Sequence, residues 1–75
     1  MGAMSFKRAS KTLTVNGEAR EIEAATLAGV LAALDYADAG VATALNGEFV
    51  ARRARETTPV KDGDRIEVLA PRQGG

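Results

Sequence analysis

Lys11-Thr12-Leu13-Thr14-Val15-Asn16-Gly17-Glu18-Ala19-Arg20-Glu21-Ile22 carries the pattern of a β-hairpin, around which the rest of the chain is arranged. Leu13 and Val15 alternate with Thr12 and Thr14, the period-two pattern of a strand with one face in a core. Asn16-Gly17 supplies two residues that tolerate positive φ in a tight hairpin, so Glu18 to Ile22 returns as a second strand.

Outward from that hairpin, Leu27, Val30, Leu31 and Leu34 fall at i, i+3, i+4 and i+7 and predict one apolar helical stripe that covers the sheet. Thr26 caps the helix start, and the helix ends between Leu34 and Tyr36. Gly29 inside it costs about 1 kcal/mol relative to Ala. Val41, Thr43 and Leu45 alternate with Ala42 and Ala44 as a third strand, closed by Asn46-Gly47, and Phe49-Val50 forms a short return. Ala51 to Pro59 has no consistent period and reads as an irregular surface connection, with Arg52, Arg53 and Arg55 as a solvated basic cluster. After a turn at Asp62-Gly63, Ile66 and Val68 face one way on a last strand while Arg65, Glu67 and Leu69 face the other. Pro71 ends it.

The expected class is α+β, a mixed sheet of four to five strands packed on one main helix. Leu13, Val15, Ile22, Leu27, Val30, Leu31, Leu34, Val41, Ile66 and Val68 form its expected core. Met1-Gly2-Ala3-Met4 reads as a cloning remnant, and residues 1–10 are set aside as an extension outside the fold. Residues 11–70 make the domain and 71–75 a flexible tail. Val15-Asn16-Gly17-Glu18 and Leu45-Asn46-Gly47-Glu48 read as two turns, because the segments around them do not match.

Composition narrows the function. Of 75 residues none is Cys and none is His, which removes thiol nucleophiles, thiolate metal sites and the usual general base of neutral pH. An independent enzyme is the weakest class. Ten basic residues balance ten acidic ones, without the basic footprint of a nucleic-acid binder. No apolar run reaches the roughly 20 residues of a membrane-spanning helix, so a cytoplasmic chain with no membrane partner is expected, monomeric when free. Asp62 and Asp64 are explained by their turn, and no metal site is expected.

Arg72-Gln73-Gly74-Gly75 remains. Gly74 and Gly75 have no Cβ to crowd a narrow channel, so the terminal carboxylate can enter another protein's active site. A free carboxylate resists nucleophiles until adenylation by ATP gives its carbon a leaving group. A sulfur donor can then attack the acyl-adenylate. Leu69, on the sheet face away from the helix, and Arg72 lie beside this tail and are candidates for partner docking.

Taken together, these segments resemble the ThiS family of sulfur carriers. The likeness rests on Val15-Asn16-Gly17-Glu18, Thr26 to Leu31, Val41 to Val50, Lys61-Asp62-Gly63-Asp64-Arg65-Ile66-Glu67-Val68 and terminal Gln73-Gly74-Gly75. It implies a β-grasp, ubiquitin-like fold and a carrier that acts as co-substrate, without a catalytic residue or bound cofactor of its own. It further implies adenylation at Gly75 by a ThiF-type enzyme that holds ATP and Mg, with Gly74 and Gln73 giving access. Conversion to a thiocarboxylate by a sulfur donor such as a cysteine desulfurase would follow, then delivery to a ThiG-type thiazole synthase. Pro71 echoes the related MoaD pattern, so a molybdopterin synthase small subunit stands as one alternative, and a ubiquitin-like protein modifier that joins lysines through the same terminus stands as another.

Overall fold

The computed structural model describes residues 10–36 and 40–70. Five strands and one α-helix follow in the order β1 (Ser10–Val15), β2 (Glu18–Glu23), α1 (Leu27–Ala33), β3 (Ala42–Leu45), β4 (Glu48–Val50) and β5 (Arg65–Leu69), with a 3-10 helix at Arg52–Thr57. The sheet order is β2-β1-β5-β3-β4. β1 and β5 run parallel at its centre, with Val15 opposite Ile66, and the other pairings are antiparallel. A parallel pair needs a crossover, and α1 with the segments around it provides one.

The hairpin forms as its sequence requires. Asn16 and Gly17 take φ of 51° and 86°, both in the left-handed region that the turn demands, and β1 pairs with β2 from Ser10↔Glu23 to Val15↔Glu18. The second Asn-Gly step repeats this geometry between β3 and β4, with Asn46 at φ 52° and Gly47 at 88°.

Thr26 caps α1, its hydroxyl accepting the Gly29 N–H at 3.3 Å. Gly29 has a packing reason for lacking a side chain: a Cβ there would stand 3.2 Å from the Ala24 Cβ. The start of α1 is also pinned from outside, because Leu27 N–H donates to Thr58 O at 2.9 Å and Val60 N–H to Ala25 O at 3.1 Å.

The core lies between α1 and one face of the sheet: Leu13, Val15, Ile22, Leu27, Val30, Leu31, Val41, Val60, Ile66 and Val68. It differs from the expected set at two places. Leu34 is half-buried at the rim, because the helix stops at Ala33 and Leu34 serves as its C-cap. Val60 joins the core, held beside the helix start by its bond to Ala25.

The stretch expected to be irregular is a 3-10 helix from Arg52 to Thr57. Arg52 and Arg53 are exposed, but Arg55 is buried. Its Nη2 donates to Val41 O at 2.6 Å and its Nε to the Thr43 Oγ1 at 3.1 Å, while Thr43 donates to Val50 O at 3.0 Å. Thr43 sits on the inward face of β3 with 2% exposure, so its hydroxyl and the nearby carbonyls need partners from inside the fold. The Arg55 guanidinium provides them, which corrects its reading as part of a solvated cluster.

Candidate functional site at the root of the C-terminal tail

Of the residues singled out in the sequence, Arg72, Gln73, Gly74 and Gly75 lie outside the described residues, and Leu69 lies within them. Leu69 is the last residue of β5, two positions before Pro71 in the chain.

β5 alternates strictly. Ile66 and Val68 are buried, whereas Arg65, Glu67 and Leu69 are exposed on the opposite face. Leu69 is directly opposite Ala42, and Ala44 is directly opposite Phe49. Ala42 and Ala44 are two residues apart on β3, so all four side chains stand on the outer face of the sheet. Phe49 is 73% exposed and Leu69 67%, the large apolar side chains that the described fold leaves in solvent. The result is an apolar strip across β5, β3 and β4 that begins at the tail root, with Glu67 and Arg65 next along β5. Sequence reading picked out Leu69 and missed Phe49. The missing signal was register: only the Ala44↔Phe49 pairing puts the ring on Leu69's face.

The other edge of β5 is held by a side chain. β1 ends opposite Ile66, so beyond that point it offers no backbone to the growing end of β5. There the Asn16 carboxamide stands in for a peptide group: Val68 N–H donates to Asn16 Oδ1 at 2.8 Å, and Asn16 Nδ2 donates to Val68 O at 3.2 Å. Asn46 grips the beginning of the same strand, its Oδ1 accepting Arg65 N–H at 2.9 Å and its backbone N–H donating to Arg65 O at 2.7 Å. The two Asn-Gly turns thus hold the two ends of the strand that leads to the tail.

Asp64, just before β5, is buried. Burial raises the cost of its charge, but a hydrogen bond from Asn46 Nδ2, another from the Lys61 N–H and the positive charge of Lys61 outweigh this and hold its carboxyl below the ordinary aspartate value. Asp62 Oδ1 accepts the Thr12 N–H at 2.6 Å. Both carboxylates are therefore used in closing the turn onto β1 and the Asn46-Gly47 turn. Among the described residues no helix is long and apolar enough to cross a membrane. An open cleft between α1 and the 3-10 helix is lined by Ala28, Leu31, Ala32 and the arginines of that helix, with no nucleophile beside a base.

Known proteins share this fold. The chain is 41% identical over 61 residues to the sulfur carrier protein ThiS of Thermus thermophilus, a match that covers 81% of this chain and 95% of that one. The crystal structure of the thiamine biosynthesis protein ThiS from Geobacter metallireducens superposes with a TM-score of 0.71 at 41% identity, covering 85% of this chain and 99% of that one. A solution structure of a thiamine biosynthesis protein from the same organism gives 0.69 at 40% identity, covering 85% and 87%. The ThiS family model matches residues 13–75, from the first core leucine to the terminal glycine, and the chain belongs to the ThiS family.

Proposed function

We propose that this protein is a sulfur carrier of thiamine biosynthesis, a co-substrate of partner enzymes that carries sulfur as a thiocarboxylate on Gly75. One observation carries the reading, the family match that runs through Gly75, and the exposed apolar strip at the end of β5 supports it.

In this reading a ThiF-type enzyme, which supplies ATP and Mg, takes the tail into its active site. A Gly75 carboxylate oxygen attacks the α-phosphorus of ATP, an acyl-adenylate forms and pyrophosphate leaves. The outer sulfur of a persulfide carried by a cysteine desulfurase then adds to the acyl carbon, and AMP departs with the electron pair of the broken C–O bond. A thiol reduces the resulting acyl disulfide, so that the S–S bond breaks to leave the thiocarboxylate while the thiol is oxidised to a disulfide. The thiocarboxylate passes its sulfur to a ThiG-type thiazole synthase. Gly74 and Gln73 give the terminus passage and placement, because a glycine next to the end adds no bulk. Leu69 and Phe49 dock on the activating enzyme, with Arg72 as a polar contact nearer the terminus. Such a strip suits a partner interface, whose centre is apolar and whose rim is polar.

The test is incubation with the cognate ATP-dependent enzyme and sulfur donor, followed by mass spectrometry of the intact chain. A mass gain equal to the exchange of one oxygen for sulfur, located on Gly75, is the expected result. Amide conjugates of Gly75 to other proteins, without a thiocarboxylate, would instead make it a protein modifier. Sulfur delivery to a molybdopterin precursor in place of the thiazole synthase would assign it to the MoaD-type role.

A further inference from the structure

We infer that Asn16 is a positioning residue for the C-terminal tail: its carboxamide completes the pairing of β5 at Val68 and so fixes the direction in which the tail leaves the sheet. The inference rests on the carrier reading for its functional consequence, but its structural part stands on geometry alone.

Val68 N–H and C=O point to the β1 edge, where no strand backbone reaches them, and Asn16 bonds both at 2.8 and 3.2 Å. On the β3 edge the last pair is Leu69 with Ala42. The tail root is therefore held from both sides, by backbone on one and by a single side chain on the other. Without the carboxamide, Val68 would keep only its β3 neighbours and the last turn of strand would fray, since an unpaired strand end gains freedom at the loss of one or two modest hydrogen bonds. A partner that must thread Gly75 into its active site would then have to order more chain on binding.

The second Asn-Gly turn provides an internal control. Asn46 makes the same kind of side-chain bond to β5, but at Arg65, the end remote from the tail, and it also bonds Asp64 at 3.0 Å. Both asparagines have φ near 50°, a value glycine adopts freely, so N16G and N46G delete the carboxamides and keep both turns.

Two measurements on the full chain test the proposal. In amide hydrogen exchange followed by NMR, N16G should speed exchange at Val68 about fivefold to tenfold and leave Arg65 unchanged, and N46G should do the reverse. In steady-state modification by the activating enzyme, N16G should raise the KM for the carrier about tenfold with kcat retained, as expected when only the ordering cost of binding rises. N46G, which also loses two side-chain hydrogen bonds, one of them to the buried Asp64 carboxylate, should lower stability at least as much and leave KM unchanged. Unaltered Val68 exchange in N16G, or an equal rise of KM in both variants, would overturn the positioning role and leave Asn16 as an ordinary turn residue. Failure of the wild type to be modified would defeat the carrier reading instead, and the exchange experiment alone would then decide whether Asn16 holds the tail root.

Discussion

Leu31 illustrates how a single side chain matters in so small a core. It is 2% exposed between α1 and the sheet, so Leu31→Ala should cost about 2 to 5 kcal/mol, a large share of the stability of a domain this size. An unfolding midpoint in urea near that of wild type would reject its place in the core. Arg55 is a polar counterpart. Arg55→Ala leaves Val41 O and the Thr43 hydroxyl without their buried donor and should cost about 1 to 3 kcal/mol, and Arg55→Lys should rescue little because an ammonium cannot span both acceptors as the planar guanidinium does. Full stability in both variants would contradict that role. Asp64 makes stability depend on pH. Its folded pKa lies below the unfolded value of about 3.9, so its contribution is complete above that pH and is lost as pH falls through the folded value. The stability gap between wild type and Asp64→Asn, followed by urea unfolding, should therefore be widest near neutrality and close in acid. A gap that does not change with pH would show that the carboxylate charge is irrelevant.

At the scale of elements, the hairpin, the helix and the last strand were legible because periodicity and turn chemistry agree in each. Leu13 and Val15 point inward on either side of Thr14, Asn16 and Gly17 both carry positive φ, and Leu27, Val30 and Leu31 are the buried face of α1. The 3-10 helix was not legible, since six residues with one buried arginine have no apolar stripe to reveal them. Nor was the role of the two asparagines beyond their turns, because a bond from Asn16 to Val68 spans residues that only the parallel β1·β5 pairing brings together. The site was half legible for the same reason: alternation along β5 exposed Leu69, but cross-strand register was needed to add Phe49. That strip leads to a prediction. Leu69→Ser and Phe49→Ser remove apolar surface from solvent, so each should leave stability within about 0.5 kcal/mol of wild type. Each should also weaken the complex with the activating enzyme by about tenfold or more, the loss typical of a residue central to an interface. Calorimetric titration showing unchanged affinity for both would remove the docking role.

The whole molecule divides its labour by position. Among the described residues the buried core holds one helix against a five-stranded sheet, and the last strand, β5, lies at the centre of that sheet and ends at Leu69. A chain without Cys or His brings no nucleophile or base of the usual kinds, which suits the proposed reaction at a terminal carboxylate. The apolar strip and the Asn16 clamp meet at the root of that terminus. In the proposed function they serve recognition and direction, and the chemistry belongs to the partner. The proposed carrier role therefore turns on Gly75, and its modification tests that role. Intact-mass and fragment spectrometry after reaction with the ATP-dependent activating enzyme and a sulfur donor should place a single oxygen-to-sulfur exchange on Gly75 of the wild type, and a folded chain lacking Gly75 should remain unmodified. A Gly75-deleted chain that acquires and delivers sulfur as well as wild type would contradict the account.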